Sequence, residues 1–152
     1  MKRIILILIA TAITATSFAQ KQTEAKEEKE KKSITPPAAV KAAFEKAFKG
    51  ATKTKWGKEK DGSFEASFTQ SGKEMSATYD AAGNLKETEW EIKVSELPAS
   101  VTDYVKKNYK GKKIDEAAKI LKANGEVNFE AEVGGKDILF DANGKFISEA
   151  KD

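Results

Sequence analysis

Two five-residue stretches constrain this chain more than any other feature. Tyr79-Asp80-Ala81-Ala82-Gly83 and Phe140-Asp141-Ala142-Asn143-Gly144 each place an aromatic residue before Asp-x-x-Gly. The Asp side chain can bond back onto the turn backbone and the glycine supplies a positive φ, so each stretch predicts a type I turn with a glycine bulge between two strands. The residues before the first stretch agree. Phe64, Ala66 and Phe68 alternate with Glu65, Ser67 and Thr69, and after Gln70-Ser71-Gly72 the alternation resumes with Met75, Ala77 and Tyr79 against Glu74, Ser76 and Thr78. That period of two predicts a hairpin with one apolar face. A further strand is expected from Asn84 to about Ile92. Another is centred on Trp56, where Gly57 and nearby lysines dilute the pattern.

A helix precedes these strands. Val40, Ala43, Phe44, Ala47 and Phe48 form one stripe at helical spacing, with Lys41, Glu45, Lys46 and Lys49 on the wet side. Thr35 is the expected N-cap before Pro36-Pro37, and Gly50 the expected C-terminal stop. The same signals recur 61 residues later: Pro37, Val40, Phe48, Gly50, Tyr79, Asp80 and Gly83 correspond to Pro98, Val101, Tyr109, Gly111, Phe140, Asp141 and Gly144. Phe64-Glu65-Ala66 matches Phe129-Glu130-Ala131 at a spacing of 65, so a small insertion precedes the later strand. The expected fold class is α+β: two tandem α-β-β-β-β repeats, 35–93 and 96–150, forming one antiparallel sheet with both helices packed on one face. One segment is locally at odds. Ile114 to Lys122, followed by Asn124-Gly125, has good helix formers and a cap signal, yet the spacing sets it against the Trp56 strand, and it is read as a strand.

The N-terminus does not belong to this domain. Lys2 and Arg3, the apolar run Ile4 to Ile9 and the small residues around Ser17-Phe18-Ala19 predict a signal peptide, 1–19, cleaved before Gln20. Residues 20–34, dominated by Lys, Glu and Gln, read as a charged disordered linker. An exported chain without cysteine has no disulfide and no lipidated N-terminal cysteine, so the mature protein is expected to be held by its core and not tethered to a membrane. Removing Lys2 and Arg3 leaves 25 basic against 24 acidic residues, which gives no electrostatic footprint for nucleic acid.

The proline, Val-x-x-x-Phe helix, glycine, Phe-Glu-Ala strand and Tyr-Asp-x-x-Gly turn, followed by Leu97-Pro98-Ala99-Ser100-Val101, resemble the exported bacterial proteins described as β-lactamase-inhibitor-like or PepSY-like. The resemblance runs from Pro36 to the C-terminus. It implies two α/β units whose strands join in one sheet, and it brings no catalytic residue with it; similarity of fold does not imply function.

The absence of His and Cys removes the Ser-His-Asp and Cys-His nucleophile systems, the usual zinc sites and thiol redox work. No Gly-rich phosphate loop opens a helix, and Gly134-Gly135 reads as a hairpin turn. Asp141-x-Asn143-Gly144 echoes part of a calcium loop, but that register puts Leu139 first and Ala150 twelfth, neither a carboxylate. No cofactor and no enzymatic activity are expected. What remains is surface: if the helices cover Phe64, Phe68, Phe129 and Val133, the other sheet face carries Glu65, Ser67, Thr69, Glu74, Ser76, Thr78, Glu130 and Glu132. The expected function is a non-enzymatic periplasmic module presenting this face to a protein or peptide. The candidate partner-binding residues are Trp56, Trp90, Glu65, Glu74, Glu130 and Glu132. A lipid- or glycan-binding envelope protein, with its ligand between sheet and helices, is the alternative reading, and direct β-lactamase inhibition a narrower one. Trp90 shares a strand face with Thr88 and Ile92, so it either closes the core or anchors a partner.

Overall fold

The computed structural model describes residues 33–151. The expected signal peptide, and the linker up to residue 32, lie outside the described residues.

The first helix, α1, spans Ala38–Ala47 and buries Val40 and Phe44. Thr35 does not cap it. The N-cap position is Pro37, without a side-chain hydrogen bond, and Lys41 N donates to Pro37 O at 3.0 Å. Thr35 is drawn away because the chain just before it is tied to a sheet edge: Ser33 Oγ accepts from Trp56 N at 3.1 Å, and Ile34 N donates to Trp56 O at 3.1 Å. Proline, with φ preset near the helical value, starts the helix instead.

Four strands follow: β1 (Thr52–Lys58), β2 (Phe64–Gln70), β3 (Lys73–Tyr79) and β4 (Leu85–Glu91). A short 3₁₀ turn, η1 (Val94–Glu96), leads into α2 (Ala99–Asn108), which buries Val101 and Val105. The chain ends in β5 (Glu116–Lys122), β6 (Val127–Glu132), β7 (Lys136–Asp141) and β8 (Phe146–Lys151). Segment 116–122 is therefore a strand, as its spacing predicts; pairing with β4 on one side and β6 on the other outweighs its helical propensity.

All eight strands form one antiparallel sheet in the order β1 to β8. This corrects the expected class. The chain is mostly a single eight-stranded sheet with two short helices, to which an α+β description applies, but its division into two tandem repeats does not stand. The pairing crosses the midpoint without a seam: β4 meets β5 over five residue pairs, as β3 meets β4. Most signals spaced by 61 are caps and turns, which recur wherever the same local chemistry is needed. Val40 with Val101 and Tyr79 with Phe140 are buried in both halves, but other core positions at the same spacing differ, with Phe44 against Val105 and Trp56 against Ala117.

Cross-strand partners share a face, so the register sorts every side chain. Both helices lie on one face. Under α1 are Phe64, Ala66, Phe68, Ala77 and Tyr79; under α2 are Ala117, Ala131, Val133, Ile138 and Phe140. The rings of Phe44, Phe48, Trp56 and Phe68 touch with centroids 4.7 to 5.4 Å apart and fill the space between α1 and the sheet. Each fully buried side chain of this kind contributes roughly 1.5–3 kcal/mol.

The aromatic-Asp-x-x-Gly stretches form the corners that were predicted. Asp80 Oδ1 accepts from Ala82 N and Asn84 N, both at 2.9 Å, and Gly83 has φ +89°. Asp141 Oδ1 does the same for Asn143 N and Lys145 N, and Gly144 has φ +76°. The register slips by one residue beside each corner, as a glycine bulge requires. Both glycines also face a helix start. A Cβ on Gly83 would lie 2.8 Å from Ala39 O, and one on Gly144 would lie 2.0 Å from Ser100 Oγ.

Candidate functional site

With both helices on one side, no helix among the described residues covers the other face of the sheet. The register places on it Glu65 on β2, Glu74 on β3, Glu87, Glu89 and Glu91 on β4, Glu116 on β5, Glu130 and Glu132 on β6, and Asp137 and Asp141 on β7. Only Lys55 and Lys122 bring positive charge to the strand positions among them. Like charges meet directly: Glu116 pairs with Glu132, and Glu132 with Asp137. Like charges directly opposite on neighbouring strands repel one another.

Two rows of residues run across the middle of this face. One reads Lys55, Ser67, Ser76, Glu89, Ile120, Asn128 and Asp141. Its neighbour reads Glu91, Ala118, Glu130, Leu139 and Ser148. Ile120 is 5 % exposed and Asn128 fully buried, although no helix covers this side among the described residues. Asn128, with its amide turned to suit its neighbours, accepts from Lys122 Nζ at 3.2 Å and donates to Val127 O at 2.9 Å. Lys122 also pairs with Glu126 at 3.2 Å, and with the Asn124 side chain this holds the Glu126 carboxyl below its usual range. The centre of the face is thus an apolar and amide floor fringed by carboxylates.

The six candidate residues do not share one surface. Glu65, Glu74, Glu130 and Glu132 lie on the open face, as the alternation predicts. Trp56 and Trp90 lie on the opposite, helix-bearing face. Trp56 pairs with Ala66, stands edge-on to Phe44 and belongs to the core under α1. Trp90 pairs with Met75 and Lys119 on the central strands, half-buried, with Lys119 Nζ 5.7 Å from its ring centre. Neither tryptophan can meet a partner docked on the glutamates. Glu87, Glu89, Glu91, Glu116, Asp137 and Asp141 belong to the acidic face but were not among the candidates. The three glutamates of β4 were legible in its alternation, whereas Glu116, Asp137 and Asp141 depend on pairings that no local pattern gives.

No group of three or more carboxylates among the described residues is arranged to hold a metal ion. Elsewhere a shallow dish of about 680 Å³ lies between α2 and the β7–β8 corner, where the Tyr104 and Phe146 rings stack 5.1 Å apart.

No protein-family model matches the chain, and no curated protein does. Solved structures are similar in fold. A protein from Bacteroides eggerthii DSM 20697, described as a candidate periplasmic protein, is 15 % identical with a TM-score of 0.66, covering 78 % of this chain and 90 % of that one. A DUF2874 family protein from Bacteroides uniformis ATCC 8492 is 20 % identical with a TM-score of 0.65, covering 77 % and 90 %. A BLIP-like protein from Bacteroides fragilis NCTC 9343 is 25 % identical with a TM-score of 0.56, covering 78 % and 87 %. No helix among the described residues is long and apolar enough to cross a membrane. The chain is thus similar in fold to a BLIP-like protein and to DUF2874 and candidate periplasmic proteins.

Proposed function

We propose that this chain is a non-enzymatic, exported periplasmic module that presents the open face of its sheet to a protein or peptide partner. The observation that carries the reading is the contrast between the two faces. One is sealed by two helices and aromatic packing; the other carries no helix among the described residues and concentrates charge. Antiparallel sheets tolerate one wet face, and a dense cluster of charge on that face suits recognition of a partner. The absence of His and Cys and the periplasmic descriptions of similar folds support the same reading. The ring packing under α1 speaks against a lipid or glycan held there between helix and sheet. Direct inhibition of a β-lactamase is a narrower version, motivated by the BLIP-like neighbour, and titration against such an enzyme decides it.

The test blocks the face by bulk. Immobilised mature chain should retain a protein from envelope extract, and Ser67→Arg/Ser76→Arg should lose it while keeping its circular dichroism. Lys46→Ala on the exposed side of α1 should change nothing. Retention by the blocked variant would place the contact elsewhere and end this reading.

A further inference from the structure

The two edges of the sheet are built differently. β1 is blunted. Lys53, Lys55 and Lys58 lie along it, Lys53 has φ +55°, and its register with β2 slips between Thr52 and Lys55. Ser33 and Ile34 occupy its outer side at Trp56. Charge, irregularity and cover are the devices that keep an edge from pairing. β8 is the contrary case. It pairs with β7, no strand among the described residues lies beyond it, and Ser148 to Lys151 run in unbroken register after the irregularity at Ile147. Phe146 and Ile147 stand on it 38 % and 45 % exposed, whereas β1 carries no exposed large apolar side chain.

The shallow dish between α2 and the β7–β8 corner opens beside this edge, on the helix-bearing face, because Phe146 belongs to both. One face of the Phe146 ring lies parallel on Tyr104, with 10° between the planes, and the rest is left to solvent. Lys107 and Lys145, both exposed, line the same dish and enter no ion pair among the described residues. Its one carboxylate, Asp103, lies 3.9 Å from Lys106. Folding does not require this arrangement. At the positions 61 residues earlier a corner of the same geometry closes with Ala43 and Leu85 in place of Tyr104 and Phe146, and with Asn84 in place of Lys145. An unpaired edge beside a side-chain pocket is what strand addition uses: backbone hydrogen bonds hold the segment and the pocket selects it.

We propose that the outer edge of β8 takes an extended segment of another protein as a ninth strand, with an apolar side chain of that segment in the dish beside Phe146 and an acidic one beside Lys107 and Lys145. A helical partner would leave the edge backbone unpaired, and a cationic one would meet the two lysines. This contact is separate from the open face, and neither reading depends on the other.

Alternate residues of an added strand share a face, so the probe is the peptide Thr-Asp-Thr-Phe-Thr-Asp-Thr, with Phe for the dish, Asp for the lysines and Thr on the other face. It is titrated calorimetrically into the mature chain beside its counterpart with Lys for Asp. The Asp peptide should bind more tightly, and replacing its Phe with Ser should weaken it about fivefold or more. Alternate amides of a strand point to opposite sides, so methylating the Thr amides or the Asp and Phe amides should weaken binding about tenfold in one case and leave it in the other. Lys107→Glu/Lys145→Glu should reverse the preference between the Asp and Lys peptides, and Ser67→Arg/Ser76→Arg, on the open face, should change nothing. Equal binding of the two peptides, methylated sets that act alike, or a preference unmoved by Lys107→Glu/Lys145→Glu overturns the proposal. Weakening by Ser67→Arg/Ser76→Arg overturns it by moving the contact to the open face. A mass that doubles with concentration while no peptide binds overturns it by putting a second copy of the chain on the edge.

Discussion

Replacing Tyr79 with Phe should make this protein more stable. Tyr79 ends β3 under α1 with 1 % of its surface exposed, and its hydroxyl is the one buried side-chain polar atom among the described residues that lacks a hydrogen-bond partner. Burial alone pushes the phenol up to about 12. The corresponding position before the second Asp corner holds Phe140, also fully buried, so the same corner closes on a ring without a hydroxyl. An unpaired buried hydroxyl costs on the order of 1–3 kcal/mol, and phenylalanine keeps the packing while removing that cost. Allowing for relaxation, Tyr79→Phe should gain about 1 kcal/mol. For a domain of roughly 120 residues that raises Tm by about 4 °C, read by circular dichroism or tryptophan fluorescence on heating and checked by urea unfolding. The pH dependence has a definite sign. The folded pKa lies above the unfolded value, so this residue's contribution is complete below pH 10 and declines as pH rises from 10 towards 12. The variant should lose less stability over that window, with Tyr109, also raised to about 12 by burial and the Glu149 contact, accounting for what remains. A loss of 1 kcal/mol or more in Tyr79→Phe would refute the reasoning, because it would mean that the hydroxyl has a partner.

Three further outcomes follow from the packing. Gly83→Ala and Gly144→Ala should each cost about 2 kcal/mol or more, since both positions combine positive φ with a close contact; chemical denaturation should show Ser100→Ala partly rescuing Gly144→Ala, while nothing comparable relieves Gly83→Ala, whose obstacle is backbone. Trp56→Ala should cost about 2–3 kcal/mol and Trp90→Ala about 1 kcal/mol, because only Trp56 packs into an aromatic core, and urea midpoints that rank them in reverse would contradict the placement. Asp80, held below its usual pKa by the Asn84 side chain and backbone, should stabilise the corner above the unfolded value near 4 and lose that contribution as pH falls through its folded value; carboxyl NMR titration should find its midpoint lowered in the wild type and at the ordinary value in urea.

Which parts of this fold were legible depends on the range of the interactions behind them. The Asp corners, both helices, the β2–β3 hairpin and the open-face position of Glu65, Glu74, Glu130 and Glu132 follow from contacts within a few residues and from a period of two, so they stand in the sequence. Thr35 misled because its capping role competes with the hydrogen bonds that tie Ser33 and Ile34 to Trp56, more than twenty residues away. The 61-residue spacing suggested two repeated units because local signals repeat, whereas a sheet that pairs β4 with β5 like any other neighbours makes one layer.

The amino-acid sequence by itself determined the corners, the helices and which residues alternate together, since turn chemistry, proline and glycine act locally and alternation fixes relative facing within a strand. Only the tertiary structure decided that both tryptophans lie opposite the glutamates, and that ten carboxylates from six strands share one surface. Those outcomes depend on the register between strands and on which face the helices cover, and no segment holds that information alone.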